Sequence, residues 1–166
     1  MRNLLLFVVV FVWACELNAE WKPIEGKITT KWASDVDPNK PWNEYPRPMM
    51  VRKDWVNLNG LWDYSIVAKE EKKPSEWNGK ILVPYAVESA LSGVGKKVGI
   101  DNCLWYRKTF TYEKKDSNRK LLHFGAIDWE STVWVNGKEI GTHKGGHDPF
   151  TYDISDALEH PGTQEI

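Results

Sequence analysis

The chain has 166 residues, 42% hydrophobic and 27% charged, with 22 basic and 23 acidic side chains for a formal net charge of -1. That balance excludes a disordered chain, and it lacks the gathered basic excess that nucleic acid or an anionic membrane surface would attract. The length suits one domain with a core of useful size.

Arg2 and the apolar run Leu4–Val12 form a positive n-region and a short h-region, the pattern of a secretory signal. The run is too short to span a bilayer, which takes about 20 apolar residues. Two processing readings stand. Cleavage after Ala19 makes residues 1–19 a signal peptide and exports the rest to the periplasm or the extracellular space. Alternatively, Val12-Trp13-Ala14-Cys15 resembles a lipobox, in which Cys15 is lipidated and the product is an outer-membrane lipoprotein; bulky Trp13 is the departure there. Either cut leaves Cys103 as the single thiol, so no internal disulfide forms. Cys103 precedes an apolar strand and reads as a small buried hydrophobe.

Residues 20–57 are rich in Pro, Asn, Asp and Trp without a clear period. Pro38, Pro41, Pro46 and Pro48 exclude a continuous helix or central strand. The segment reads as an extended arm pinned by Trp32, Trp42 and Tyr45. From residue 58 to 166 the pattern is one of short strands. Trp62, Tyr64 and Ile66 alternate with Asp63 and Ser65, and Ile81–Val83 is a short apolar run ended by Pro84. Ser89 to Asp101 holds Gly93, Gly95 and Gly99 and reads as a long surface loop. Leu104–Tyr112 reads as the next strand, and Leu122, Phe124 and Ala126 mark another. Asn136-Gly137 predicts a type I′ hairpin between Thr132–Val135 and Lys138–Ile140, because both central residues need positive φ. Phe150, Tyr152 and Ile154 alternate, Ser155 or Asp156 is placed to cap one helical turn, and Pro161-Gly162 turns the chain into Thr163–Ile166. Strands separated by turn signals, with no βαβ alternation, predict an all-β fold, an antiparallel β-sandwich.

Ten tryptophans are unusual; each singly reads best as a packing anchor, with stacking on a pyranose ring as the sharper alternative, and the surplus as a whole fits an all-β sandwich better than a helical protein. His143 and His147 are four apart, a metal spacing only on a helix; they flank Gly145-Gly146 in a predicted loop, so no metal or cofactor is expected there. The glycines of residues 93–99 lack the ending and the strand–helix context of a phosphate loop.

Several stretches together resemble the N-terminal domain of family-2 glycoside hydrolases, the β-galactosidase- and β-glucuronidase-like enzymes. They are Glu44–Pro48, Trp55–Trp62, Val83–Ser89 and Leu104–Phe110. The strongest block is Phe124–Trp129 with Val133–Gly137, Gly141–Phe150 and on to Asp156. His147, where Tyr is more usual, and Met49, where Gln is more usual, depart from the pattern. The resemblance implies a galactose-binding-domain-like jelly roll, followed in the family by an immunoglobulin-like domain and a barrel carrying two catalytic glutamates. Retaining chemistry needs two carboxylates about 5 Å apart. No such pair is assigned in this chain, which is expected to be inactive alone. Gly162–Ile166 then reads as the start of a late strand in an incomplete sandwich. Open strand edges would promote self-association.

The resemblance also implies that a loop of this domain reaches a β-linked glycoside in the full-length enzyme. Asp101, Asn102 and Trp105 are one candidate place for sugar contact, and His147-Asp148 is the other. Two further readings remain open at this stage. One is a stand-alone carbohydrate-binding module; the other is an interaction domain pairing through an open sheet edge.

Overall fold

The computed structural model describes residues 21–113, 118–158 and 160–166. The leader, with its signal-peptide reading and Cys15, lies outside them.

The first sheet has three antiparallel strands. β1 (Gly60–Ala68) lies between β2 (Gly79–Val83) and β3 (Asn102–Arg107). Trp62 and Tyr64 point to the core as the alternation predicts, and they pack with Ile81, Val87 and Val94. Ser65 is also buried, against the expectation for the polar face. Residues opposite each other in an antiparallel pair share a face. Ser65 pairs with Trp105, whose ring stacks on Trp134 at 5.3 Å, so an indole pair lies on that side of the sheet.

Three two-stranded antiparallel ladders follow. β4 (Thr109–Tyr112) pairs with β9 (Gly162–Glu165), β5 (Leu121–Phe124) with β8 (Phe150–Asp153), and β6 (Glu130–Val135) with β7 (Lys138–Lys144). They enclose a second cluster of Leu122, Val133, Val135, Ile154, Ala157 and Leu158. Leu58 and Ile166 pack against both clusters and join them. The result is an antiparallel β-sandwich. The Asn136-Gly137 hairpin forms as predicted, with φ of 52 and 81 and Val135 opposite Lys138.

Other local expectations change as well. Leu104–Tyr112 is two strands in two sheets, not one. The backbone of Lys108 exchanges both hydrogen bonds with Ile166, at 2.9 Å each, and its ammonium donates to the Leu61 carbonyl at 2.9 Å. The chain leaves the β1 ladder there and crosses to β9. Burial, then the nearby Lys80 charge, lowers the Lys108 pKa.

The Ser89–Asp101 segment is not a surface loop throughout: Ala90, Ser92 and Val94 are buried. The Ser92 hydroxyl reaches the Val87 and Ser89 carbonyls at 3.0 and 2.8 Å and accepts from the Val94 and Gly95 amides. A strandless segment can be buried when its backbone groups find such local partners.

The arm is pinned differently as well. Trp32 and Trp42 are exposed, and only Tyr45 packs inward, edge-on to Trp55 at 4.8 Å. Asn59 holds the Pro41 carbonyl, and Ile24 donates to Ala90 at 3.0 Å. Cys103 is half-buried, with Sγ 3.8 Å from the Ala68 carbonyl.

A 3-10 turn does form over Ser155–Ala157, but neither Ser155 nor Asp156 caps it. Asp153 takes the Ser155 amide and hydroxyl instead, at 3.0 and 2.6 Å, and binds Arg119. The Ser155 hydrogen bonds, and then Arg119, bring the Asp153 carboxyl down to about 2.

On the outer side of β1, Asp63 receives both Nε and Nη2 of Arg107, at 2.9 and 2.7 Å, and the Lys80 ammonium. Arg107 also lies over the Trp77 ring at 4.6 Å, and Lys73 bridges to Glu165. Burial alone would raise the Asp63 carboxyl, but the Lys80 and Arg107 bonds outweigh it and hold the group below its ordinary 3.8. A carboxylate held low in the folded state stabilises above the unfolded pKa and loses that contribution as pH falls through the folded one. Stability is therefore expected to fall below about pH 4. Asp63→Asn should flatten that acid limb, measured by urea unfolding between about pH 6 and 2; an unchanged slope would remove Asp63 as its source.

Candidate functional site

The open end of the β6–β7 ladder brings two connections side by side. One is residues 125–129, before β6, and the other is 145–149, after β7. The last rungs are Ser131 opposite His143 and Glu130 opposite Lys144. The pairing continues outward as the Gly145 amide donates to the Trp129 carbonyl at 2.7 Å.

The paired glycines are what allow this approach. A Cβ on Gly146 would lie 2.6 Å from Asp128 Oδ1. On Gly145, which has φ 134, it would lie 3.4 Å from Asp148 Oδ2 and 3.5 Å from His143 Nε2. The backbone of residues 145–146 thus runs close among the polar atoms of Asp128, His143 and Asp148.

Trp129 turns its indole outward and is 60% exposed. Lys144 Nζ stands 5.5 Å from that ring and 3.0 Å from Glu130 Oε1. His143 is fixed by stacking on Phe150 at 4.1 Å, and Phe150 stacks on Phe124 at 4.9 Å. His143 Nε2 and Ser131 Oγ are buried and have no hydrogen-bond partner among the described residues. Chemically, this edge offers a flat apolar face beside carboxylates, a cation and an imidazole. Such a combination suits a ring with hydroxyl groups. Among the described residues, no group of three or more His, Cys, Asp or Glu side chains is placed to hold a metal.

The structure separates the two candidate places named from sequence. His147 and Asp148 are exposed in the 145–149 loop, at this edge. Asp101 is exposed in the turn before β3, where its carbonyl accepts from the Lys69 amide at 3.1 Å. Asn102 spends its amide on the Val98 carbonyl at 2.8 Å. Trp105 lies farther along β3, and its ring meets Trp134 rather than open solvent. Asp128, Trp129, Ser131 and Lys144 were not singled out from sequence as contact residues. His143 was placed in a loop, whereas it ends in β7, stacked on an aromatic ring. The sequence signal that points here is the His147-Asp148 pair beside Gly145-Gly146.

Known proteins agree with this architecture. Residues 96–166 match the family described as glycosyl hydrolase 2 galactose-binding domain-like. A β-glucuronidase of Paenibacillus borealis is 26% identical over 118 residues, covering 67% of this chain and 20% of its own length. A β-galactosidase of Bacteroides ovatus is 34% identical over 115 residues, covering 68% of this chain and 12% of its own. The solved β-D-mannosidase of Dictyoglomus thermophilum superposes with a TM-score of 0.52 at 27% identity, over 66% of this chain and 14% of that one. The chain thus spans about a fifth or less of the length of these relatives, and corresponds to their N-terminal part. Through residues 96–166, with the sandwich built around them, the chain belongs to the galactose-binding-like N-terminal domains of the family-2 glycoside hydrolases.

Proposed function

We propose that this domain is the non-catalytic N-terminal module of an exported family-2 glycoside hydrolase acting on β-linked glycosides. The leader supports export, with Cys15 as the anchor point if the lipobox reading holds. In this reading the domain orients a catalytic module and lends one edge to substrate binding. The observation that carries it is the exposed Trp129 indole, whose backbone carbonyl takes the Gly145 amide at the double-glycine turn that Asp128 and Asp148 line. A pyranose ring would stack its apolar face on Trp129, and its hydroxyls would meet the carboxylates and His147. Asp101, Asn102 and Trp105 are assigned to loop closure and packing.

The test is a polypeptide translated through the reading frame beyond residue 166, assayed on aryl β-glycosides. Trp129→Ala is expected to raise KM about tenfold, the equivalent of about 1.4 kcal/mol, with kcat nearly unchanged. Residues 20–166 alone should release no aglycone. Turnover by residues 20–166 unaided, or an unchanged KM in both Trp129→Ala and Asp148→Ala, would reject the reading.

A further inference from the structure

Residues 42–57 form a loop that is closed at its neck and apolar at its tip. Asn57 Nδ2 donates to the Trp42 carbonyl at 2.8 Å, and Tyr45 meets Trp55 edge-on at 4.8 Å. Trp55 in turn stacks on His123 of β5 at 5.6 Å. His123 is exposed while its neighbour Leu122 is buried, so the loop sits on the outer face of the β5–β8 ladder.

Between these anchors the large apolar side chains point to solvent. Met49 is 98% exposed, Val56 74% and Trp42 66%, and Met50 and Val51 are exposed beside them. A bulky residue at positive φ is an outlier in a folded chain. Trp42 sits at φ 50, and side chains from the far end of the loop hold it there: Asn57 on its own carbonyl and Asn59 on that of Pro41. Maintained strain of this kind clusters where a surface is used.

We propose that the 42–57 face is a docking surface for a companion domain of the same polypeptide, with Trp42 as its anchor. The inference rests on the proposed function, in which the chain continues into a catalytic module. Two observations choose this occupant. Tryptophan and methionine are enriched at the cores of protein interfaces, and tryptophan dominates their energetics. The relatives leave ample polypeptide to supply the partner, since the chain covers only 20% of the Paenibacillus borealis enzyme.

The test is peptide-resolved maleimide labelling of Met49→Cys and Val56→Cys in a Cys103→Ser background. Ile100→Cys serves as control, since Ile100 is 83% exposed outside the loop. Each variant is labelled in the 166-residue chain and in the polypeptide translated onward. Positions 49 and 56 are expected to label at least tenfold more slowly in the longer polypeptide, with position 100 equal in both. Adding Trp42→Ala should restore fast labelling. Equal rates at 49 and 56 in the two forms would overturn the docking even if the longer polypeptide cleaves glycosides. Protection without glycosidase activity would instead keep the docking and reject the functional reading. Protection that grows with concentration of the short chain alone would assign the face to a second copy and overturn the proposal. Protection by added oligosaccharide would assign it to glycan, with the same consequence.

Discussion

Replacing Asn136 by alanine is expected to lower the stability of the domain by about 3–4 kcal/mol, from about 1 for each lost hydrogen bond and about 1 for alanine in the left-handed region. Asn136 serves two purposes at once. Its φ of 52 makes the β6–β7 turn, and its side chain ties that turn to the end of the chain. Nδ2 donates to the Ala157 carbonyl at 2.8 Å and to Gln164 Oε1 at 2.7 Å, and Oδ1 accepts from the Glu165 amide at 2.9 Å. The Asn136 amide donates to the Glu165 carbonyl as well, at 2.8 Å. Gln164 is itself buried and would be left short of a partner. Asn136→Gly separates the two roles, because glycine keeps the turn and loses only the side-chain bonds. It is expected to cost about 2–3 kcal/mol, on the same scale of about 1 per bond. Thermal unfolding should show the alanine variant melting about 10 °C below the parent, at about 2–4 °C per kcal/mol for a chain this long. Equal losses for alanine and glycine would mean that turn geometry contributes nothing. A loss below about 1 kcal/mol in both would mean that the latch onto β9 is unimportant.

The second large effect is expected at Ile81. Its side chain is fully buried among Trp62, Tyr64, Val87 and Val94. The rigid aromatic and β-branched neighbours have little freedom to close a void. Ile81→Ala should therefore cost about 3–4 kcal/mol, within the usual range for a core aliphatic, and Ile81→Val about 1. Urea unfolding with an unchanged m-value would attribute the loss to packing. Ile28→Ala is the contrast: that side chain is 99% exposed, and no loss beyond about 0.5 kcal/mol is expected. A small effect at Ile81 would show that the core around β1 and β2 can collapse around a missing side chain.

Much of the fold was legible because its signals are local. Asn136-Gly137 names its own turn, since few other pairs accept positive φ twice. Trp62 and Tyr64 alternate at the period of a strand, and both are buried. Other features depended on partners far along the chain. Nothing near Lys108 announces a change of sheet; the cause is Ile166, which arrives from the other end and takes both of its backbone bonds. Ser92 looked like part of a polar loop, yet its hydroxyl organises a buried turn against β2. Trp32 and Trp42 looked like pins because tryptophan is usually buried, and here both are exposed.

The site divides in the same way. His147 and Asp148 follow from the family resemblance, as part of a loop that would reach a glycoside. Asp128 and Trp129 join them only because the β6–β7 ladder folds back and sets residue 129 against residue 145. Strand periodicity and turn chemistry were enough to predict an antiparallel β-sandwich from the amino acids alone, and the order of the motifs carried the resemblance to this family. Which loops meet, which tryptophans face solvent and where the chain changes sheets were decided by tertiary structure. The physical reason is that period and turn propensity act over a few neighbouring residues, whereas burial and hydrogen-bond partnership at Trp105, Lys108 and Trp129 depend on segments tens of residues away.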